Sequence, residues 1–229
     1  MKVATARAGA NIALIKYWGK RCTRLNLPAA GSLSITLDTL ETVTRVEIDA
    51  SLPRDEFELD GQTQEAGQVS AVLDLLRAAE GPSCRVISRN NFPTGAGLAS
   101  SASGFAALVA AAARLFRPDL GQPELSMIAR QGSGSAARSM FGGFCQMEAG
   151  ERDDGTDCLA YGLAGPEHWP LEVVVAVTAR GPKAVSSRDG MIRTMETSPY
   201  YSAWVKSVAS DLIEARAAVE GRDFEKLAD

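Results

Sequence analysis

Histidine is nearly absent from this chain of 229 residues. His168 stands alone, and the four cysteines, Cys22, Cys84, Cys145 and Cys158, lie far apart without a C-x-x-C pair. That scarcity argues against a zinc site and a disulfide framework, and reads as the reduced thiols of a cytoplasmic protein. Long apolar runs are lacking as well: the opening MKVATARAGANIALIKYWGK mixes charge throughout, and no stretch approaches membrane-spanning length. Nor is one sign of charge in large excess. A net charge of -4 offers no field that would gather nucleic acid or an anionic membrane, so any anion must be held by a local cluster of cations. What is present is 45% hydrophobic residues, enough for a real core in one large or two modest domains.

Residues 91–104, NFPTGAGLASSASG, carry the strongest local signal. An extended entry leads into a glycine-turned loop and then a hydroxyl-rich helix start, continued by the strongly helix-forming FAALVAAAARLF. Gly95 and Gly97 let the main chain approach a ligand, and Ser100, Ser101 and Ser103 set hydroxyls beside free amides at the positive end of a helix. An anion such as phosphate suits that arrangement, although a glycine loop before an alanine-rich helix is also an ordinary strand-to-helix connection. The loop has neither the Walker ending nor the dinucleotide fingerprint, so a nucleotide-binding role would need a third kind of loop.

Periodicity predicts strands over 10–17, 32–37 and 42–49 in an antiparallel sheet, a helix over 66–79, and a strand over 84–89 leading into the loop. The loop's helix is expected over 101–116, broken at 118–123, with a short helix over 124–130 before a second glycine-serine loop, 132–135. A strand over 144–149 follows. The run LEVVVAVTA, 171–179, reads as a buried strand. Beyond it come a loop over 180–187 and helices over 188–196 and 201–219, and the domain boundary is set near Gly165.

Three further segments group cations with hydroxyls. ANIALIKYWGKR ends a strand in Lys16, Lys20 and Arg21 around Tyr17 and Trp18; RQGSGSAARSMFGG places Ser133, Ser135 and Arg138 behind two glycines; KAVSSRDGMIR presents Lys183, Ser186, Ser187, Arg188 and Arg193. Each taken singly has a plainer explanation, such as an edge strand guarded by lysines, a capped helix with a surface arginine, or a solvated helix start with Ser187 as cap. His168, Trp169 and Trp204 read as packing or turn residues.

Together and in this order, NIALIKYWGKR, NLPAAGSLSITL, NFPTGAGLASSASGFAAL, ARQGSGSAARSMFGG and VSSRDGM resemble the diphosphomevalonate decarboxylases of the GHMP kinase superfamily, over essentially the whole chain. The resemblance implies an α+β, GHMP-kinase-like two-domain fold. Residues 1–165 would form a ribosomal-protein-S5-like N-terminal domain carrying the ATP phosphate loop, and 166–229 a ferredoxin-like C-terminal domain that reads as truncated. It implies ATP-dependent decarboxylation of mevalonate 5-diphosphate to isopentenyl diphosphate through phosphorylation of the 3-hydroxyl, with ATP and Mg2+, in a cytoplasmic homodimer without nucleic-acid or membrane partners.

Residue by residue, the resemblance places Tyr17, Lys20, Ser133, Ser135, Ser187 and Arg188 on the substrate diphosphate and Arg138 on its carboxylate. Pro93, Gly95, Gly97, Leu98, Ala99, Ser100, Ser101, Ser103 and Lys183 fall on ATP. Arg138, Ser101 and Lys20 are the catalytic candidates, Ser101 also the metal candidate, and Asn11 and Lys16 organise the group. One departure matters: the family's aspartate base lies in a D-A-G-P-type loop near the C-terminus, no such loop occurs before Asp229, and Asp229 is not that base. The 229 residues alone are therefore expected to be inactive. A phosphomevalonate decarboxylase, a mevalonate 3-kinase, and a non-catalytic phosphate-binding fragment stay open.

Overall fold

The structure, a computed structural model, describes residues 2–94, 98, 100–176 and 185–228. The chain opens with strand β1 (Lys2–Ile15), a small pair β2 (Lys20–Cys22) and β3 (Leu27–Pro28), and the long strand β4 (Ser32–Ile48). Strands β5 (Glu56–Leu59) and β6 (Gln62–Gln64), helix α1 (Gly67–Leu73) and strand β7 (Cys84–Asn90) follow. Next come α2 (Ser100–Phe116), α3 (Gln122–Gly132), a 3-10 helix (Gly134–Met140), and strands β8 (Gly143–Met147) and β9 (Ala160–Ala164). Three helices complete the described chain: α4 (Ser187–Thr197), α5 (Tyr201–Gly221) and α6 (Phe224–Ala228).

Apart from the separate pair β2-β3, the strands make one sheet of seven in the order β6-β5-β7-β4-β8-β9, with β1 also paired to β4. The expected strands 32–37 and 42–49 are one continuous element, long enough to pair β8 along its first half and β7 along its second. Every pairing is antiparallel except β5 with β7, so the sheet is mixed where a purely antiparallel one was expected.

Alanine explains how α2 sits on this sheet. Ala102, Ala106, Ala107, Ala111 and Ala112 are fully buried, and side chains that small let the helix lie close over β1 and β4. The other face is covered by α5, whose Val208, Leu212, Ala215 and Val219 pack on Leu33, Ile35 and Phe144. The β1–β4 register shifts between Gly9 and Asn11. Ahead of the shift Ala4 and Ala6 join the core beneath α2, whereas beyond it Ile12 and Leu14 join the cluster under α5. Because side chains alternate along a strand, that shift turns Asn11 toward the 3-10 helix.

Two expectations fail here. Residues 171–176, the described part of the run 171–179, form no strand, and Val174 is 91% exposed, so that part is not buried; 177–179 lie outside the described residues. A valine run needs sheet neighbours on both sides, and among the described residues none pairs with it. Helix α1 stops at Leu73, short of the expected 79, and the turn after it is tied down by Arg77. That guanidinium donates to both oxygens of Asp55 at 2.8 and 2.9 Å, and Asp55 also accepts from the Cys84 amide at 2.8 Å. Burial pushes the Asp55 carboxyl up, but its hydrogen bonds with Arg77, Ser70 and Cys84 outweigh that and leave it below its ordinary value. Beyond Gly165 the described residues supply helices and no strand, in keeping with the expectation of a shortened second domain.

Candidate active site

A cavity of about 680 Å³ opens where the end of β1, the start of α2, the 3-10 helix and the start of α4 converge. Tyr17, Lys20, Ser133, Ser135 and Arg138 line it, as do Ser101, Ser187 and Arg188, so the expected substrate side chains share one hollow. Asn11 and Lys16 stand in the same wall. Its described lining contains four cations, Lys16, Lys20, Arg138 and Arg188, and no aspartate or glutamate. A chain of net negative charge thus concentrates positive charge in one place.

Arg138 is 1% exposed. Its Nη1 donates to Ser32 Oγ at 2.5 Å and its Nη2 to Asn11 Oδ1 at 3.0 Å, while Nε meets no partner. Both partners are neutral, so the charge has no counterion among them. Burial pulls this guanidinium down to about 10, which leaves it charged at neutral pH. Asn11 fixes the arrangement: its Nδ2 donates to the Ser135 carbonyl at 3.0 Å and to Ser139 Oγ at 2.7 Å, tying the arginine to the glycine-serine loop.

Tyr17 stands beside them with its hydroxyl buried and unpartnered. Burial raises its pKa to about 12 against the lowering pull of Arg138, Arg130 and Arg188, so it remains a neutral donor. Gly134 is required next to it, because a β-carbon there would run into the Tyr17 ring. Lys20 is 9% exposed and titrates below an ordinary lysine, first because it is buried and then because Arg188 is near. Trp18 packs on Gly190, and the Lys16 ammonium sits 5.9 Å from its ring centroid.

The two glycine-serine segments meet. Ser101 Oγ, in the first turn of α2, lies 3.2 Å from Ser133 Oγ, which follows α3. A second cavity of about 210 Å³ adjoins the first, sharing Gln68, Ser101 and Phe105, and is walled largely by Phe57, Val69, Val86 and Leu108. Ser100 lines this second space.

Other expected ligands are placed differently. Ser103 is wholly buried, its hydroxyl engaged with Thr42 Oγ1 at 2.7 Å and the Ser100 carbonyl at 3.2 Å, so it offers nothing to a ligand. Three residues into a helix the side chain has rotated toward the sheet. Pro93 is exposed and Leu98 half-buried, and neither lines a cavity described here. Gly95, Gly97, Ala99 and Lys183 lie outside the described residues. The cap of α4 is Ser186, whose hydroxyl accepts from the Asp189 amide at 3.1 Å, one residue before the expected Ser187. Sequence reasoning missed Gln68, Asn26, Phe105 and Met191, which complete the wall; the last three lie in recognised segments but were given no role there, and Gln68 belongs to none.

Phosphate-bearing ligands fit this chemistry: buried unpartnered donors at Tyr17 and Arg138, clustered cations and paired serine hydroxyls are what an anion satisfies. For magnesium the fit is narrower. The described residues contain no group of three or more acidic, histidine or cysteine side chains able to hold a metal, so Ser101 and the ligand's own phosphates would have to supply its oxygen ligands.

The chain matches the family described as "Diphosphomevalonate decarboxylase-like N-terminal domain" over residues 8–160, and "Mevalonate 5-diphosphate decarboxylase C-terminal domain" over 173–229. It is 45% identical over 246 residues to the diphosphomevalonate decarboxylase of Ganoderma lucidum, covering 98% of this chain and 62% of that protein. The chain thus spans about three fifths of the length of that curated relative. Mevalonate diphosphate decarboxylase from Trypanosoma brucei superposes with a TM-score of 0.89 at 38% identity, over 99% of this chain and 63% of its own. A structure described as MDDEF in complex with MVAPP, AMPPCP and magnesium superposes at 0.86 and 42% identity, over 98% and 70%.

Proposed function

The chain belongs to the diphosphomevalonate decarboxylase family, and on that footing we propose that its cavity binds mevalonate 5-diphosphate against ATP for phosphorylation of the 3-hydroxyl and decarboxylation to isopentenyl diphosphate. The observation that carries this is the 3.2 Å approach of Ser101 to Ser133, because it sets the start of the nucleotide-type loop's helix against the substrate loop. Phosphoryl transfer needs that juxtaposition more than it needs covalent help, since catalysis there is chiefly positioning and charge stabilisation.

In this reading Tyr17, Lys20, Ser133, Ser135, Ser187 and Arg188 hold the diphosphate, and Arg138 holds the carboxylate in a planar fork that orients the bond to be broken. Asn11 keeps that fork in place. Ser101 faces the transferred phosphoryl group, Ser100 turns toward the adjoining cavity, and that largely apolar space takes the nucleoside. Magnesium, when bound with ATP, neutralises the triphosphate. The 3-oxygen of the substrate bonds to the γ-phosphorus as the bond to ADP breaks and ADP leaves with that pair, the hydroxyl proton passing to a base from outside the described lining; the bond between the 3-carbon and its oxygen then breaks and inorganic phosphate leaves with the bonding pair. The electrons of the breaking carbon–carboxylate bond form the new double bond, and carbon dioxide departs.

We further place the boundary between the two domains near Gly165, between the two matched stretches. The four free cysteines support a reducing, cytoplasmic setting, no helix among the described residues is long and apolar enough to cross a membrane, and the resemblance implies a homodimer.

Calorimetric titration of the 229-residue chain with mevalonate 5-diphosphate, mevalonate 5-phosphate and mevalonate tests the assignment. Affinity should fall in that order, by at least about tenfold at each lost phosphate, as each removes charge-assisted hydrogen bonds of about 1.5–3 kcal/mol. It should also fall as pH rises through the depressed titration of Lys20, since the anion favours the protonated amine. Equal affinity for mevalonate and its diphosphate would refute it.

A further inference from the structure

A second arginine is buried behind the cavity wall. Arg130, near the end of α3, is 2% exposed; its Nε and Nη1 meet no partner, Nη2 reaches the Gly155 carbonyl at 3.4 Å, and the other side chain that engages the guanidinium is the Cys158 thiol, which burial keeps neutral. None of the ion pairs among the described residues includes it. The residue is held from two sides. Asn26, itself part of the cavity wall, donates to the carbonyls of Arg130 at 2.9 Å and Gln131 at 3.3 Å. Gly155, at φ +70°, lies so close that a β-carbon there would stand 3.0 Å from both Nη1 and Nη2. Tyr17 senses the Arg130 charge as well as that of Arg138.

A guanidinium buried without a counterion opposes folding, and hydrophobic packing of similar volume would serve a purely structural purpose as well or better. The same charge becomes favourable once a multivalent anion occupies the neighbouring cavity, because low-dielectric walls screen it poorly. We propose that Arg130 is a positioning residue of the anion site: from behind Tyr17 and Asn26 it supplies a second uncompensated positive charge that draws the diphosphate and keeps the Tyr17 hydroxyl facing it as a donor. This rests on the diphosphate reading of the cavity.

The test is calorimetric titration with mevalonate 5-diphosphate at low and moderate salt for the 229-residue chain and its Arg130→Met, Arg130→Lys and Arg138→Gln variants, with the melting temperature of each ligand-free protein. Arg130→Met should bind about tenfold more weakly, with a shallower salt dependence, yet melt at or above the parent temperature. Arg130→Lys should return affinity to within about threefold of the parent, because the charge is what acts. A ligand-free Arg130→Met that melts well below the parent or fails to fold marks a space-filling residue and overturns the proposal. So does parent-like affinity in Arg130→Met while Arg138→Gln binds poorly. A parent chain that does not bind the diphosphate at all sinks the functional assignment itself.

Discussion

Arg138→Gln will weaken binding of mevalonate 5-diphosphate by a factor of about 30 to several thousand, the equivalent of about 2–5 kcal/mol for removing one partner of a buried, hydrogen-bonded charge pair. The size follows from the arginine's surroundings. It is 1% exposed and bonded only to the neutral oxygens of Ser32 and Asn11, so its charge is unanswered until a carboxylate arrives. The ligand-free protein should lose little stability, because an uncompensated buried charge contributes nothing favourable to the fold. Binding and stability therefore separate, and a thermal melt beside the titration shows it. Arg138→Lys should not rescue, since one ammonium cannot span Ser32, Asn11 and a carboxylate as the planar fork does. Binding by Arg138→Gln within threefold of the parent would contradict the role given to this residue.

The polypeptide of these 229 residues will bind substrate and nucleotide but release ADP and carbon dioxide about 10²–10⁴-fold more slowly than the Ganoderma lucidum relative, the usual worth of a positioned general base. The cavity's described lining holds no aspartate or glutamate, and the two titratable donors nearest the substrate cannot take its proton. Tyr17, pushed up to about 12, is already protonated at neutral pH, and Lys20 is proposed to be engaged by the diphosphate. Extending the chain with a C-terminal segment that carries a carboxylate loop should restore the rate. The assay is separate measurement of ADP and carbon dioxide; turnover at the relative's rate by the 229 residues alone would show that the proton has another acceptor.

The grouping of chemistry-bearing residues was more legible in the sequence than the fold was. Segments whose chemistry is carried by residue type, such as KYWGK and GSGSAARS, each have a plain structural explanation alone but could be recognised together and in order, and they do meet in one cavity. Helices α2, α3 and α5 were legible because each buries one face over several turns, and α4, which buries only Met191, because a serine cap precedes it. Strands β5, β6 and β9 were not: at three to five residues they carry too little alternation to stand out. The valine run at 171–176 misled for the opposite reason, since apolar composition reports what a segment could bury and not whether a neighbour is there to bury it. Ser103 was assigned to ATP by loop membership alone, yet helical rotation turns it into the sheet. Gln68 reaches the cavity from outside every recognised segment, and Asn26 and Phe105 from within two of them but without a charge or motif position that marks them, so only the fold could bring them in. Arg130 sat within a recognised segment, but nothing in the sequence distinguishes a buried guanidinium from a surface one.

The most direct measurement is a crystal structure of the 229-residue chain with mevalonate 5-diphosphate. The account predicts the carboxylate on Arg138 and the diphosphate among Tyr17, Lys20, Ser133 and Ser135, with the 3-hydroxyl directed toward Ser101. Density for the ligand on another surface, or lying in this cavity with its diphosphate on Arg138 and its carboxylate on Lys20, would contradict it.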